Sequence, residues 1–315
     1  MHYKLLFLKY SIIIPHKNAP DLLRRCLASI PNRTDIEIII VDDNSSAEKV
    51  DFSHFPGTER KNTHIIYIKE GESKGAGNAR NIAIPLAKGE FIIFADCDDF
   101  FNDCFNDILT DYKNTNYDVI YFNANSVDSI TYKPSFRVDH LHEFYDIYNT
   151  NKALGILYFR YMFTEPWCKI IKTSLIKENN IHFDSTCVNN DVLFSNEIGG
   201  YAKNIAIDKR KGYCVTSREG SLCQTDTPEA HSARFYVHAK WNKFLIDRNI
   251  NISIPRFEYM LYTMSQLLYK SPSLYIKKYK ILKDCGYSHY YIIKETIRNL
   301  CTTIKLKYRK IKEMF

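Results

Sequence analysis

Three aspartates within four residues, Asp96, Asp98 and Asp99, carry the clearest chemical potential in this sequence. They follow the apolar run 91–94, whose length and composition predict a short buried strand. Three carboxylates this close repel one another unless a cation lies among them. Carboxylate oxygens suit hard divalent ions, and Mg²⁺ is usually held by one or two carboxylates together with substrate phosphates. The alternative is an acidic loop that caps the next helix.

The segments before these aspartates alternate between strand and helix. Apolar patterning predicts strands at 10–14, 36–41, 64–68 and 91–94, and helices at 20–30 and 79–86, the second one kinked or shortened by Pro85. This alternation predicts a parallel, doubly wound sheet. Polar residues follow the strands at their carboxyl ends, where such sheets bind nucleotides.

A glycine-rich loop, residues 71–77, precedes the second helix. It has neither the spacing of a Walker motif nor that of a dinucleotide-binding fingerprint. Its glycines are therefore expected to let the backbone turn closely beneath a ligand.

The pattern is looser after the aspartates. We predict helices at 103–112, 141–159 and 173–179, strands at 118–122, 204–207 and 213–215, and only helices beyond Pro228. Asp191 is expected to open a further helix, and either Asn190 or Asp191 as its N-terminal cap is an alternative to any chemical role.

Composition places few limits on function. The chain has 315 residues, enough for one large or two smaller domains, with 45% hydrophobic and 25% charged residues. A net charge of +7 permits a phosphate-bearing ligand or an anionic membrane surface as a partner. Nucleic acid is not expected as a partner.

Cysteine usage and hydropathy bear on location. The nine cysteines are scattered without CxxC spacing, which indicates neither a disulfide framework nor a zinc site and favours a reducing cytoplasm. The apolar patch 5–8 is too short for a signal peptide, and no run is long enough to predict a membrane-spanning helix.

Four motifs in order carry a resemblance to a known family. They are residues 11–18 (SIIIPHKN), 41–45 (VDDNS), 74–81 (KGAGNARN) and 96–99 (DCDD). Together they resemble glycosyltransferase family 2, strongly over 10–103 and more weakly through 166–169 (PWCK) and 190–192 (NDV) to about residue 221. The implied α/β fold is GT-A, a doubly wound mixed sheet flanked by helices, here with a helical C-terminal extension.

The resemblance also implies roles for individual residues. The nucleotide-sugar donor is expected to contact Pro15, His16, Asn18, Asp43, Lys74, Arg80 and Asp96. Asp98, with Asp96, would hold Mn²⁺ or Mg²⁺ on the donor diphosphate, and Trp167 and Lys169 would border the acceptor or the sugar. Asp191 occupies the position of the family's catalytic base, although Asn190 stands where the family usually has Glu.

The implied function is an inverting transfer of sugar from a nucleoside-diphosphate sugar, with UDP-sugar expected, to a hydroxyl of a glycan or lipid-linked saccharide. Synthesis of a surface polysaccharide such as capsule or O-antigen fits this activity. The chemistry needs a neutralised diphosphate and a base for the acceptor proton. A part-buried carboxylate such as Asp191 suits the second task, because burial raises its pKa.

Several alternatives stay open. The protein could be a sugar nucleotidyltransferase, although no glycine-rich basic loop follows the first strand, or a non-catalytic binding protein on a transferase scaffold, for which Asn190 is the argument. His16 could be a surface loop residue, and Trp167 a core residue.

We expect a transferase domain over 1–225, with a nucleotide-binding half, 1–103, and an acceptor half, 104–225. The region 226–315 is expected to be helical and basic. In residues 304–311, Ile304, Tyr308 and Ile311 share one helical face, among basic residues. This tail is predicted to attach a cytoplasmic enzyme to the inner face of the membrane, and the alternative is a solvated basic face.

Overall fold

The computed structural model describes residues 8–72, 74–218 and 225–312, with side chains described up to residue 305. The chain divides into two compact units, Met1–Gln224 and Thr225–Phe315.

The first unit is built on a mixed sheet of eight strands among the described residues, in the order β3-β2-β1-β4-β7-β6-β8-β5. Its strands are β1 (Tyr10–His16), β2 (Ile36–Asp42), β3 (Thr63–Tyr67), β4 (Phe91–Phe94), β5 (Phe100–Phe101), β6 (Val119–Asp128), β7 (Lys169–Lys172) and β8 (Ile205–Ser217). Its helices are α1 (Pro20–Ser29), α2 (Ala76–Ala83), α3 (Phe105–Tyr112), α4 (Asp139–Thr150), α5 (Lys152–Tyr161), α6 (Thr173–Glu178) and α7 (Val192–Tyr201).

The first four strands are mutually parallel, as the alternating pattern predicts. Both β1 and β2 are buried along their whole length, since their β-branched side chains face apolar layers on both sides. The carboxyl ends of β1, β2 and β4 therefore meet at one edge of the sheet, and the acidic residues that follow them meet there too.

The second half of the sheet departs from the sequence-based expectation. The predicted strands 204–207 and 213–215 are one strand, β8, which pairs in parallel with β6. The strands β5 and β7 were not predicted, and both pair antiparallel with their neighbours. The predicted helix 141–159 is two helices, because the Asn151 side chain accepts a hydrogen bond from the Leu154 amide and caps α5.

The helix over 79–86 begins earlier than predicted and ends at Ala83. A 3₁₀ turn over Ile84–Leu86 follows it, in keeping with the shortening expected from Pro85.

The second unit consists of helices over its described residues, as predicted beyond Pro228. They are α8 (Pro228–Asp247), α9 (Pro255–Lys270), α10 (Pro272–Asp284) and α11 (His289–Lys312). Over the described ranges, none of the helices combines the length and apolar character needed to cross a bilayer.

Candidate active site

The acidic residues lie in a turn between β4 and β5, and the three carboxylates differ in their surroundings. Asp99 is only 3% exposed, and its Oδ1 accepts a 2.7 Å hydrogen bond from the Thr216 amide on β8. Burial raises the pKa of Asp99, and the charges of Asp98 and Asp96 raise it further. Asp99 therefore fastens the turn to β8, and only Asp96 and Asp98 remain partly exposed.

Two arginines engage the exposed pair. Nη2 of Arg80, on α2, lies 2.5 Å from Oδ1 of Asp96, and Nε of Arg218, after β8, lies 2.8 Å from Oδ2 of Asp98. The turn is also held through its backbone, because the Thr216 hydroxyl donates to the Asp98 carbonyl at 2.7 Å. The site thus combines two carboxylates with two guanidinium groups within hydrogen-bonding reach.

The carboxylates of Asp96 and Asp98 could each offer an oxygen to a divalent cation. Each has a second oxygen besides the one paired with an arginine, and Mg²⁺ commonly uses one or two carboxylates and completes its shell with phosphate oxygens and water. Over the described residues, no cluster of three or more His, Cys, Asp or Glu side chains forms a complete protein cage. The donor set therefore fits an ion held jointly by Asp96, Asp98 and a diphosphate.

At the end of β1, His16 is a buried structural residue. Its Nδ1 lies 2.7 Å from Oδ1 of Asp42, and its Nε2 accepts a 3.1 Å hydrogen bond from the Ala19 amide. Since Nε2 accepts, the proton sits on Nδ1 and points at Asp42. The interpretation of His16 as a surface loop residue is wrong, because the residue is only 2% exposed.

The other residues expected at the nucleotide lie around the same edge. Asp43 follows β2, and its Oδ2 accepts from the Gly75 amide at 3.2 Å and lies 3.5 Å from the Lys17 ammonium. The exposed Asn18 is hydrogen-bonded to Ser45 and Ser46. Pro15 is buried within β1, and Lys74 is exposed in the loop before α2. Their contacts with a nucleotide stay a prediction.

Helix α2 holds the segment that leads to Asp191. The Asn81 side chain donates to the Phe183 carbonyl and accepts from the Phe183 amide, both at 2.9 Å. The Arg80 guanidinium lies 5.2 Å from the centroid of the Phe183 ring. Phe183 in turn stacks on Phe194 of α7, with ring centroids 3.9 Å apart. The KGAGNARN motif therefore positions this segment as well as the arginine.

Asp191 directly precedes α7, but its side chain makes no capping hydrogen bond. Asp191 is the N-cap residue of α7 by position, but the interpretation of its side chain as the capping group is wrong. Burial and the nearby charge of Glu165 raise the pKa of Asp191 to about 6, while Arg80 opposes the shift. A carboxyl group with this pKa is a base at neutral pH and can accept a proton more readily than an ordinary aspartate.

Asn190 lies against the first turn of α2. A Cβ added to Gly77 would come within 2.9 Å of the Asn190 Cγ and 3.0 Å of the Asp184 carbonyl oxygen. A larger residue at position 77 would therefore displace the segment beside Asp191.

Lys169, expected beside the acceptor or sugar, is fully buried. Its ammonium donates to the Glu165 carbonyl, lies 3.5 Å from the Ser195 hydroxyl and sits 3.9 Å from the centroid of the Phe163 ring. Burial lowers the pKa of Lys169 to about 8. This arrangement links β7 to α7 and turns the ammonium away from solvent, so it does not support direct contact with a ligand.

Trp167 is also largely buried. Its ring stacks on Tyr213 at 6.0 Å and meets Phe163 edge-on at 5.7 Å. The structure thus places Trp167 in the core, which was the alternative to sugar stacking.

Four residues at the site were not singled out from the sequence: Arg218, Tyr213, Glu165 and His140. His140 Nε2 lies 3.0 Å from Oε1 of Glu165, and Tyr213 Oη accepts from the Asp96 amide at 2.9 Å. Arg218 and Glu165 each adjoin a stretch that carries the weaker resemblance, which is the one signal that could have found them. Nothing local marks His140 or Tyr213, since their partners are distant in the chain.

The sheet order and its flanking helices define a GT-A fold, that of nucleotide-diphospho-sugar transferases. The sequence model described as Glycosyl transferase family 2 matches residues 11–179, just over half of the chain. The protein belongs to this family.

Known proteins resemble the chain in sequence or in fold. A poly(ribitol-phosphate) beta-glucosyltransferase of Bacillus spizizenii is 32% identical over 184 residues, which are 56% of this chain and 27% of that protein. Residues 1–349 of S. aureus TarS, in a crystal structure with UDP-GlcNAc, superpose with a TM-score of 0.59 at 20% identity, covering 96% and 92% of the two chains. A mannosyltransferase of Pyrobaculum calidifontis, in complex with GDP-Man and Mn²⁺, superposes with a TM-score of 0.52 at 14% identity, covering 97% and 83%. The chain thus spans about a quarter of the length of the curated Bacillus relative.

Proposed function

We propose that this protein is an inverting glycosyltransferase that moves a sugar from a UDP-sugar to a hydroxyl of a glycan or lipid-linked saccharide. The observation that carries the proposal is the convergence of Asp96, Asp98, Arg80 and Asp191 in a member of family 2. The charges of Arg80 and Asp96 both act on the pKa of Asp191, which supports one site for the proposed base and the groups expected around the donor diphosphate.

Asp191 is the proposed base. The acceptor hydroxyl gives its proton to Asp191 while its oxygen forms a bond to the anomeric carbon of the donor. The bond from that carbon to the diphosphate oxygen breaks in the same step, and the leaving UDP keeps the electron pair. One displacement from the opposite side inverts the anomeric centre.

The departing diphosphate gains negative charge, and the site is built to receive it. Arg218 is exposed beside the acidic turn, and a guanidinium group can bind phosphate oxygens in a forked geometry. Arg80 is only 5% exposed, so its positive charge acts on the site from beneath Asp96. A Mn²⁺ or Mg²⁺ ion held by Asp96 and Asp98 would supply further electrostatic stabilisation of the leaving group. The mannosyltransferase of similar fold, which was solved in complex with GDP-Man and Mn²⁺, supports the proposal of a metal ion here.

The chemical class of the donor and of the acceptor is inferred from the relatives. A fold neighbour binds UDP-GlcNAc, and a relative is named for glucosyl transfer to poly(ribitol-phosphate), which supports a UDP-sugar and a polymeric or lipid-linked acceptor in surface polysaccharide synthesis. We further propose that residues 1–225 form the transferase and 226–315 a basic helical region that attaches a cytoplasmic enzyme to a membrane surface.

The remaining contacts proposed with the nucleotide are based on position, because these residues lie at the same edge of the sheet as the acidic turn. Pro15, His16, Asn18, Asp43 and Lys74 would shape the nucleotide pocket, with His16 acting through Asp42 because its ring is buried.

The test is Mn²⁺-dependent donor binding and turnover in two matched variants. Asp98→Asn should abolish transfer and weaken UDP binding only when Mn²⁺ is present. Asp99→Asn should keep the metal dependence, because Asp99 is buried and its Oδ1 accepts from the Thr216 amide, a bond that an amide oxygen can also accept. NMR of the product should give an anomeric configuration opposite to that of the donor. Unchanged turnover in Asp98→Asn, or retention of configuration, contradicts the proposal.

A further inference from the structure

Helix α11 presents an apolar stripe to solvent. Tyr290, Ile293, Ile297, Cys301 and Ile304 recur at intervals of three and four residues, so they share one face of the helix. Tyr290 is 75% exposed, and the three isoleucines are 50%, 56% and 66% exposed in chain order. The stripe runs for about 21 Å along the helix, since each residue adds about 1.5 Å.

The buried face of the same helix is largely polar. Glu295, Thr296, Asn299 and Thr303 are buried there. The Gln266 side chain of α9 donates to the Thr303 hydroxyl at 2.7 Å, and the Tyr275 hydroxyl of α10 lies 3.1 Å from that of Thr296. Turning α11 by half a rotation would break both contacts. The outward position of the apolar stripe is therefore specified by the packing of the unit.

The charges beside the stripe favour an anionic partner. Lys294, Arg298 and Lys305 are exposed next to the stripe residues, and the Lys294 ammonium lies 6.0 Å from the centroid of the Tyr290 ring. The helix has one acidic residue, Glu295, which is buried and paired with Arg298 at 2.6 Å. Two such stripes facing each other would bring lysines and arginines together, which disfavours a second copy of the chain.

We propose that the stripe of α11 is the surface that lies on a bilayer containing anionic lipids. Isoleucine side chains enter the boundary between headgroups and acyl chains, tyrosine is favoured at that interface, and the flanking cations meet lipid phosphates. The inference deepens the proposed membrane placement by naming the contacting face. Lipid binding is measured without donor or acceptor, so it can fail or succeed independently of sugar transfer.

The experiment is flotation of the full chain with phosphatidylcholine vesicles, with and without phosphatidylglycerol. The wild type should float with the anionic vesicles at low salt and much less at high salt. The double variant Ile293→Asn/Ile297→Asn should partition about tenfold more weakly at the same salt. Ile130→Asn is the matched control, because Ile130 is 86% exposed but lies in the first unit, and it should float like the wild type.

A second variant separates charge from apolar contact. Lys294→Gln/Lys305→Gln should weaken flotation and flatten its salt dependence. All substituted positions are exposed, and unchanged thermal melting confirms folding. The proposal is overturned if the wild type ignores anionic vesicles at low salt, or if the isoleucine variant binds like the wild type. A wild-type dimer without lipid that becomes monomeric in the isoleucine variant also overturns it, in favour of a second copy. A wild type that floats but transfers no sugar keeps this inference and removes the proposed function.

Discussion

Nε of Arg218 donates a 2.8 Å hydrogen bond to Oδ2 of Asp98, which joins the residue after β8 to the acidic turn after β4. The two residues are 120 positions apart, and the pairing of β5 with β8 brings them together. A positive group is thereby fixed beside the carboxylate that is proposed to hold the donor's metal ion.

Arg218→Gln should weaken UDP binding about tenfold, because a guanidinium at this place attracts the diphosphate. Binding of uridine, which has no phosphate, should change less than about twofold. Isothermal titration of both ligands with Mn²⁺ measures the difference. Arg24→Gln serves as the control, since Arg24 is exposed and pairs with Asp21 on α1. An equal loss for UDP and uridine would show that Arg218 acts through folding of the site and not on phosphate.

Asp191→Asn should lower turnover by about 10²-fold while UDP affinity stays within about twofold. The same change should stabilise the protein at pH 7.5 by on the order of 1 kcal/mol. The folded-state pKa of about 6 exceeds the ordinary value of 3.8, so the charged carboxylate is disfavoured in the folded state above pH 6. The gain should shrink as pH falls through 6, which thermal unfolding at pH 7.5 and 5 can follow. A variant that loses UDP binding as its main defect would argue against the base assignment.

The pH dependence of transfer should report on Glu165. In the wild type, kcat/KM should fall as pH drops through about 6, because Asp191 must be unprotonated to act as a base. Glu165→Gln removes a negative charge that raises the pKa of Asp191, so the acidic limb should move to lower pH.

His140→Gln is a companion variant that keeps the Glu165 carboxyl group and removes its imidazole partner. His140 pairs with Glu165 and lowers the pKa of that carboxyl group, although burial opposes this effect. Removing the imidazole lets burial raise the pKa of Glu165, so less negative charge remains beside Asp191 near pH 6, and the limb should move to lower pH by less than in Glu165→Gln. Arg80, Asp96 and Lys169 also interact with Asp191 and stay unchanged in both variants. A uniform loss of activity at every pH in both variants would indicate a purely structural role.

Gly77→Ala should reduce transfer about tenfold with little change in UDP affinity. The added Cβ would meet Asn190 at 2.9 Å and shift the segment that precedes Asp191. Combining it with Asn190→Ala should restore part of the loss, because the closest contact, with Asn190 Cγ, is removed while those with the Cβ of residue 190 at 3.1 Å and the Asp184 carbonyl oxygen at 3.0 Å remain. Initial rates for the two single variants and the double variant form the cycle. Strictly additive losses would mean that the Gly77–Asn190 contact does not control the site.

The first half of the sheet could be predicted from local sequence patterns. Strands β1, β2 and β4 are short, uninterrupted apolar runs, and the polar residues after them mark the edge where the site lies. The short strand β5 carries no such pattern, since two phenylalanines become a strand only through pairing with Tyr213 and Cys214. Strand β8 reads as two strands because exposed Lys209 and Lys211 interrupt its apolar pattern.

The candidate site likewise contains some residues that local motifs mark and others that only distant contacts bring there. Asp96, Asp98 and Asp191, the residues proposed for the chemistry, could be singled out because each lies in a short motif. The burial of Lys169 could not be foreseen, because it depends on Phe163 and Ser195, which other segments bring to it. The partnership of His140 with Glu165 likewise joins α4 to the segment before β7, and no spacing in the sequence marks it.

The acidic turn is bounded by strands of the same sheet, β4 on one side and β5 on the other. It is held further by two hydrogen bonds from Thr216, whose hydroxyl donates to the Asp98 carbonyl and whose amide donates to the Asp99 side chain. These residues therefore lose their conformational entropy when the chain folds. Binding of a ligand then costs little further entropy in this turn. A substitution that destabilises β8 far from the turn should therefore disorder the turn. Affinity for the donor should fall, although every group that touches the donor is unchanged.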